Sequence, residues 1–221
     1  MKAWDEVDFS LIYIEQKYKL GIKMKVAVLC EYSGIVRDAF MKAGHTAVSC
    51  DILPTKSPGN HIQDDLFNRD WSGYDLVIAH PPCTYLTVTA NRAFLSNPER
   101  WQKRLDAVKF VWKLMHLDVE KICIENPKGV ISSYIRKPDQ YIQPYEHGHP
   151  DSKMTGLWLK NLPLIKPTKI VDPEWVYPKS GSGKRMSKTH ANNPSTNSAK
   201  NSMLRSKTYQ GIADAMASQW S

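Results

Sequence analysis

The chain has 221 residues and a net charge of +8, and 42% of its residues are hydrophobic. One globular domain of ordinary size fits this length and composition. Every apolar run is shorter than the roughly 18 to 20 residues of a membrane span, and the first residues lack the charged-then-apolar layout of a secretory signal. We therefore expect no membrane partner and a cytoplasmic location.

Metal binding is not expected from the cysteine and histidine patterns. The four cysteines show no CxxC pairing and no metal spacing, which predicts reduced thiols and no metal site. His147 and His149 alternate within a loop without a third partner, and we interpret them as loop residues.

Residues 1–23 are expected to form an accessory extension ahead of a single α/β domain that covers residues 24–221. Residues 26–30 are an apolar run typical of a buried strand. A turn containing Glu31, Ser33 and Gly34 follows, and then an amphipathic helix that ends at a glycine. This strand, turn and helix predict the start of a parallel sheet.

Two acidic positions come next. The second predicted strand, residues 45–50, ends at Asp51, and a carboxylate at that place after a glycine turn is suited to ribose hydroxyls. Residues 61–67 are predicted to be a polar turn in which Asp65 reaches an adenine amino group. The alternative interpretation of this stretch is a solvated loop.

The third predicted strand runs from residue 74 and stops at Pro81-Pro82-Cys83. The two prolines fix two φ angles, so we expect the Cys83 side chain to be held in one place, as a nucleophile requires. A lone cysteine is more often a small buried hydrophobe. A second apolar run, residues 121–124, ends at Glu125 and Asn126, and two strands that both end in polar groups make a site more likely than one does.

These elements predict a doubly wound, mostly parallel α/β sheet with helices on both faces. Residues 99–117 form a long predicted helix, and residues 128–142 are expected to be a short helix or loop. Lys153 and Thr155, at the entrance of a further strand, are candidates for touching substrate. A final amphipathic helix follows Gly211.

A basic segment lies at about residues 172–205, where glycine, serine, asparagine and threonine separate the positive charges. Such a composition predicts a flexible loop that attracts a phosphate backbone. The alternative is a solvated loop without a partner. The candidate nucleic-acid contacts are Lys184, Arg185 and Lys188, together with Arg92.

Taken together, these stretches resemble the DNA cytosine C5 methyltransferases over residues 24–221, in a Rossmann-like methyltransferase fold. The specific part is the combination of Pro82-Cys83 with Glu125-Asn126. The resemblance implies S-adenosylmethionine as cofactor. Its implied contacts are Glu31, Ser33, Gly34, Asp51, Ile52, Asp65, Pro81 and Gly211.

The resemblance also implies the chemistry. Cys83 adds to C6 of cytosine, and Glu125 and Asn126 stabilise the charge that builds up at N3 and the exocyclic amine. Lys153 stands where the family has a Gln-Arg-x-Arg element. The family's separate target-recognition domain is missing, which argues against sequence-specific readout of duplex DNA. We expect a compact phage or prophage enzyme of relaxed specificity, with double-stranded DNA as partner, in a bacterial or phage-infected cell.

Three alternatives stay open. The run His80-Pro81-Pro82-Cys83 is also similar to the (Asp/Asn/Ser)-Pro-Pro-(aromatic) motif of amino methyltransferases, which would make an exocyclic amine the target. The missing recognition domain favours a free pyrimidine nucleotide or a single strand as substrate. The third alternative is an inactive methyltransferase-like protein that binds DNA.

Overall fold

The computed structural model describes residues 23–88, 91–177, 185–187, 191 and 207–221. Its main strands are β1 (Lys25–Leu29), β2 (Thr46–Asp51), β3 (His61–Gln63), β4 (Leu76–Ala79), β5 (Lys121–Pro127), β6 (Gln140–Ile142) and β7 (Thr155–Lys160). They form one seven-stranded sheet in the order β3-β2-β1-β4-β5-β7-β6. The first five strands pair in parallel, whereas β7 runs antiparallel to both β5 and β6.

The helices of the described chain are α1 (Ile35–Lys42), α2 (Arg92–Ser96), α3 (Glu99–Met115), α4 (Ile131–Tyr134) and α5 (Gln210–Trp220). Two short antiparallel strands, β8 (Trp175–Val176) and β9 (Met186–Ser187), pair outside the main sheet. Within the described part of the chain, no helix has both the length and the apolar character needed to span a membrane.

Helices cover both faces of the sheet, because the apolar strands expose alternate side chains to opposite sides. Helices α1 and α5 pack on one face, where Phe40 and Met216 are fully buried. Helix α3 packs on the other face through Val111 and Leu114. Burying one such side chain stabilises the fold by about 1.5–3 kcal/mol. The two apolar layers leave the carboxyl edge of the parallel strands as the place for polar groups.

The predicted doubly wound, mostly parallel sheet is confirmed, but three local predictions are wrong. Residues 61–63 form the edge strand β3 and not a polar turn. Cys30 lies outside β1, in a turn with a positive φ of 57°. Residues 140–142 form the strand β6 within a region predicted to be helix or loop. Both missed strands are only three residues long, which is too short for a periodic pattern.

Two predicted regions fall largely outside the described residues. The expected extension, residues 1–23, is described only at residue 23. Of the basic segment, residues 172–177, 185–187 and 191 are described, and they contain β8 and β9.

Candidate active site at the carboxyl edge of the sheet

The ends of β4 and β5 are joined by two hydrogen bonds. Nδ1 of His80 lies 2.8 Å from Oε2 of Glu125, and the amide of Asn126 donates to the carbonyl of Pro81 at 2.7 Å. Cys83 comes two residues after Pro81, so these bonds fix where its loop begins. The structure thereby brings Cys83, Glu125 and Asn126 to one edge of the sheet, while Asn126 itself is buried against the proline turn.

His80 and Glu125 form a buried, oppositely charged pair, with side chains only 8% and 11% exposed. Burial lowers the pKa of His80, but the hydrogen bond and charge of Glu125 outweigh burial and raise that pKa above its usual value. Burial raises the pKa of Glu125, but the hydrogen bond and charge of His80 carry it below its usual value. Both shifts favour the charged form of the pair, an imidazolium bound to a carboxylate.

Lys153 and Thr155 approach this pair from the entrance of β7. Because β7 is antiparallel to β5, Thr155 pairs with Pro127 at the end of β5. The Thr155 hydroxyl lies within hydrogen-bonding reach of the Glu125 carboxylate and 3.1 Å from the carbonyl of Lys153. The positive charge of Lys153 also helps to lower the pKa of Glu125, after the larger effects of burial and His80. Lys153 thus lies beside the predicted catalytic carboxylate.

The loop after Cys83 is anchored by a buried arginine. The carbonyl of Cys83 accepts hydrogen bonds from the N–H groups of Leu86 and Thr87, which closes a tight turn. Arg104 of α3 donates to the carbonyl of Tyr85 at 2.9 Å and to that of Thr87 at 3.3 Å. A guanidinium offers several donors in a rigid fork, so one side chain holds the whole turn.

The opposite side of the same turn packs against the chain that follows β5. The N–H of Val130 donates to the carbonyl of Leu86 at 2.8 Å. A Cβ added at Gly129 would lie 2.1 Å from that carbonyl oxygen, so only glycine fits there without a shift of the backbone. The loop that carries Cys83 is therefore held between α3 and the segment leading to α4.

The other three cysteines are poor candidates for a nucleophile. Burial raises the pKa of the Cys30 and Cys123 thiols and raises that of Cys50 to about 11, so all three stay protonated at neutral pH. None of the four cysteines, all of which are described, forms a disulfide. Cys83 is half-buried on the constrained loop that follows β4, at the same edge of the sheet as Glu125, and it is the candidate nucleophile of this edge.

A small cavity of about 40 Å³ lies next to the pair, between the ends of β1 and β4 and the segment that leads into α5. Its walls are formed by Cys30, Glu31, Tyr32, Ser33, His80, Lys207 and Thr208. Nε2 of His80 is buried and has no hydrogen-bond partner among the described residues. A buried nitrogen of this kind beside a cavity indicates a position for a ligand.

Glu31 also caps helix α1. Its carboxylate oxygens accept hydrogen bonds from the N–H groups of Val36, at 2.7 Å, and Arg37, at 3.2 Å, and the Ser33 hydroxyl donates to it at 3.3 Å. Gly34 has a positive φ of 76°, which glycine adopts without strain. The free N–H groups at the start of α1 are therefore hydrogen-bonded to the carboxylate of Glu31.

The remaining predicted cofactor contacts of the early strands continue along the same edge. The N–H of Glu31 donates to the carbonyl of Cys50 at 3.2 Å, which places the end of β2 beside the first turn. Asp51, at that end, is half-buried and accepts from the N–H of Leu53 at 2.9 Å. Ile52 is 71% exposed, and the exposed Asp65 caps a short 3₁₀ turn.

Gly211 belongs to the close packing of α5. Its N–H donates to Nε2 of His149 at 2.8 Å, and an added Cβ would lie 1.9 Å from the carbonyl oxygen of His147. This contact seats the helix so that Lys207 and Thr208, just before it, reach the cavity.

The predicted nucleic-acid contacts are only partly described. Lys184 and Lys188 lie outside the described residues, as does the side chain of Arg92, whose backbone begins α2. Arg185 is exposed, and its guanidinium lies 4.1 Å from the ring centre of Trp175 in the small β8–β9 sheet.

The sequence did not reveal several residues that shape the site. In the sequence, His80 has only a place in the run that is similar to the amino methyltransferase motif, but its position directly before two prolines at a strand end is a usable signal. Arg104 lies at helical spacing from Val111 and Leu114, so it interrupts the apolar stripe of α3 at a buried position. Arg37 is likewise fully buried in α1.

A larger cavity of about 540 Å³ lies away from this site, at the opposite edge of the sheet, near the start of β5 and the end of β7. The described residues contain no cluster of three or more histidine, cysteine or acidic side chains placed to hold a metal ion.

Among known proteins, this chain is similar to several solved structures. No protein-family model matches the sequence, and no curated protein matches it. An RNA methyltransferase from Salinibacter ruber, in complex with S-adenosyl-L-homocysteine, is 12% identical, with a TM-score of 0.34, over 76% of this chain and 100% of that one.

Two other solved structures cover similar shares of this chain. The Dnmt2 methyltransferase of S. pombe is 17% identical, with a TM-score of 0.41, over 74% of this chain and 58% of that one. The bifunctional kinase-methyltransferase WbdD is 13% identical, with a TM-score of 0.38, over 77% of this chain and 42% of that one. The chain thus spans about half the length of these two proteins.

Proposed function

We propose that this protein transfers a methyl group from S-adenosylmethionine to C5 of cytosine in DNA, through a covalent bond between Cys83 and C6 of the base. The observation that carries the proposal is the joining of the β4 and β5 ends, which sets the constrained loop of Cys83 against the buried Glu125 carboxyl. A thiol nucleophile and a neighbouring acid are the two groups that this addition needs.

Cytosine C5 is a weak nucleophile until C6 has been attacked. The thiolate of Cys83 adds to C6, the C5–C6 double bond opens, and the displaced electron pair comes to rest on N3. Glu125 stabilises this charge by giving a proton to N3. Asn126 positions the Pro81 turn, and the predicted role of Lys153 is to add positive charge beside Glu125.

The carboxylates around the cavity favour a nucleoside cofactor that has no phosphate. In many nucleotide-binding sheets a phosphate sits at the N-terminus of the first helix, but here the Glu31 carboxylate accepts from that turn. A second negative charge would be repelled there. Asp51 is the proposed contact for the ribose hydroxyls, and the buried Nε2 of His80 offers a polar contact.

S-adenosylmethionine, when bound, supplies a methyl group that is electrophilic because it is attached to a sulfonium. The other proposed cofactor contacts are those that the resemblance implies: Ser33, Gly34, Ile52, Asp65, Pro81 and Gly211. The open carboxyl edge of the sheet would face the base, which in duplex DNA must first leave the stack.

Positive charge supports a nucleic-acid substrate. The chain carries a net charge of +8, and the exposed guanidinium of Arg185 lies over the half-buried ring of Trp175. Phosphate contacts of lysine and arginine supply sequence-independent affinity for DNA. Lys184, Lys188 and Arg92 complete the proposed DNA-binding set.

Methyl transfer with product identification tests the proposal. The protein is incubated with duplex DNA and S-adenosylmethionine that carries an isotopically labelled methyl group, and the DNA is digested to nucleosides for mass spectrometry. Labelled 5-methylcytosine is the expected product. Labelled N4-methylcytosine or N6-methyladenine would overturn the C5 reaction, and labelled deoxycytidine monophosphate in a parallel assay would move the substrate to free nucleotides.

A further inference from the structure

We propose that His80 stores the proton that Glu125 gives to N3 of cytosine, and that it links this acid to the ligand cavity behind it. The inference rests on the proposed function. It adds to that function a residue for which the sequence predicted no role.

The two ring nitrogens of His80 have different surroundings. Its Nδ1 is 2.8 Å from Oε2 of Glu125, and its other ring nitrogen, Nε2, is buried without a partner among the described residues. The same side chain lines the cavity next to Glu31 and Lys207. The ring therefore stands between the cavity and the carboxyl group, with one nitrogen for each.

A proton source is needed because Glu125 is ionised before substrate binds. Its pKa lies below the usual value, chiefly because the bond to His80 and the charge of His80 outweigh burial. An ionised carboxylate has no proton to give. The imidazolium of His80 lies at hydrogen-bonding distance from it and carries one.

The proton balance closes within these groups. When the Cys83 thiolate bonds to C6, N3 takes a proton from Glu125, and Glu125 takes the proton of His80. When a water molecule later takes the proton from C5, the electron pair of the C5–H bond forms the C5–C6 double bond again. The C6–S bond breaks with its electron pair on sulfur, which restores the Cys83 thiolate, and the proton on N3 passes back through Glu125 to His80. No net proton is consumed by the pair.

Four charged groups set the protonation of His80. Burial opposes it, whereas Glu125 on β5 and, more weakly, Glu31 on the first turn favour it. Lys153 at the entrance of β7 opposes it, and Lys207 before α5 lines the same cavity. The net effect raises the pKa of His80 above its usual value. This shift favours the stored proton, which is lost as pH rises through the raised pKa.

The test uses exchange of the C5 hydrogen, which needs Cys83 addition but no cofactor. DNA carrying tritium at C5 of cytosine is incubated with the full chain, without S-adenosylmethionine, and release of tritium to water is followed between pH 6 and 9. In the His80→Asn variant the amide still donates to Glu125 but stores no proton. General acid catalysis contributes roughly 10²–10⁴-fold, so we expect at least a 100-fold slower exchange in this variant.

The pH profile separates proton storage from simple positioning. Exchange by the wild-type protein is expected to fall as pH rises above the raised pKa of His80, and exchange by His80→Asn is expected to lose this fall. An exchange rate in His80→Asn within about threefold of wild type would overturn the inference, because general acid catalysis is worth far more than that.

Two further outcomes are decisive. If His80→Asn does not fold, a wild-type rate that stays flat up to pH 9 overturns the inference, and a falling rate supports it. If the wild-type protein releases no tritium at any pH while Cys83→Ser behaves identically, the proposed C5 chemistry fails and the inference fails with it.

Discussion

The guanidinium of Arg104 donates a hydrogen bond to the carbonyl of Tyr85, two residues beyond Cys83. Arg104 is 3% exposed and lies in the middle of the apolar face of α3. A buried charge is retained in such a place only when its donors are used. The arginine thereby connects the helix layer behind the sheet to the proposed nucleophile.

Replacing Arg104 with methionine is expected to loosen this loop. The carbonyls of Tyr85 and Thr87 would lose their donors, at a cost of about 1–3 kcal/mol in the free energy of unfolding, and Cys83 would be less well placed. Urea denaturation measures the first effect and the rate of C5-hydrogen exchange the second. Lys109→Met, at an exposed position of the same helix, is the control. Equal effects of the two substitutions would contradict the anchoring role.

Gly129→Ala is expected to slow the reaction of Cys83. The new Cβ would lie 2.1 Å from the carbonyl oxygen of Leu86, so the turn that carries Cys83 must shift. A displacement of about 1 Å can reduce a rate about 100-fold. The exchange assay measures this change, and Gly73→Ala, where a Cβ meets nothing within 4 Å, is the matched control. A Gly129→Ala variant as active as Gly73→Ala would show that the contact does not matter.

Gly211→Ala is expected to destabilise the protein although alanine is the better helix former. Alanine would gain about 1 kcal/mol in helix propensity, but its Cβ would lie 1.9 Å from the carbonyl oxygen of His147. The clash is between two backbone segments, which cannot move apart easily. We therefore expect its cost to exceed the gain in helix propensity. Thermal unfolding measures the balance, with Ser218→Ala on the exposed side of the same helix as control. A raised melting temperature for Gly211→Ala would contradict this packing.

Stability is expected to depend on pH through the pair of His80 and Glu125. The raised pKa of His80 means that its contribution is complete below 6.5, its ordinary value, and is lost as pH rises through the folded-state pKa. The lowered pKa of Glu125 means that its contribution is complete above 4.5 and is lost as pH falls through the folded-state pKa. The pair therefore stabilises most between pH 4.5 and 6.5.

Urea midpoints of wild type and His80→Asn across pH measure this window. The difference in unfolding free energy between the two proteins should be largest between pH 4.5 and 6.5 and should shrink on both sides. A difference that does not vary with pH would mean that the pair is not charged in the folded protein.

The sequence predicted the central strands because their apolar runs are continuous and end abruptly. The run that ends at Pro81 and the run that ends at Glu125 are buried on both faces, so composition alone marks them. The edge strands β3 and β6 were not predicted, because each has only three residues. Their place in the sheet depends on pairing, which no local pattern records.

The site was predictable only in its individual residues. Cys83 and Glu125 could be selected because each closes a strand. The bond between His80 and Glu125 joins positions 45 residues apart, and it depends on β4 and β5 being neighbours in a given register. Arg104 gave a weaker signal, because it is a charged residue at a spacing that predicts a buried position in α3. Its role follows only from the structure, where it donates hydrogen bonds to the loop of Cys83.

Trapping the covalent intermediate tests the central claim most directly. Fluorine at C5 of cytosine cannot leave as a proton does, so an enzyme that adds a thiolate to C6 stays bound to the base after methyl transfer. Duplex DNA containing 5-fluorocytosine is incubated with the protein and S-adenosylmethionine, and the protein is digested and sequenced by mass spectrometry. We predict a peptide in which the modified cytosine is attached to Cys83, and no adduct in Cys83→Ser. An adduct on another residue, or none while 5-methylcytosine forms in normal DNA, would contradict the account.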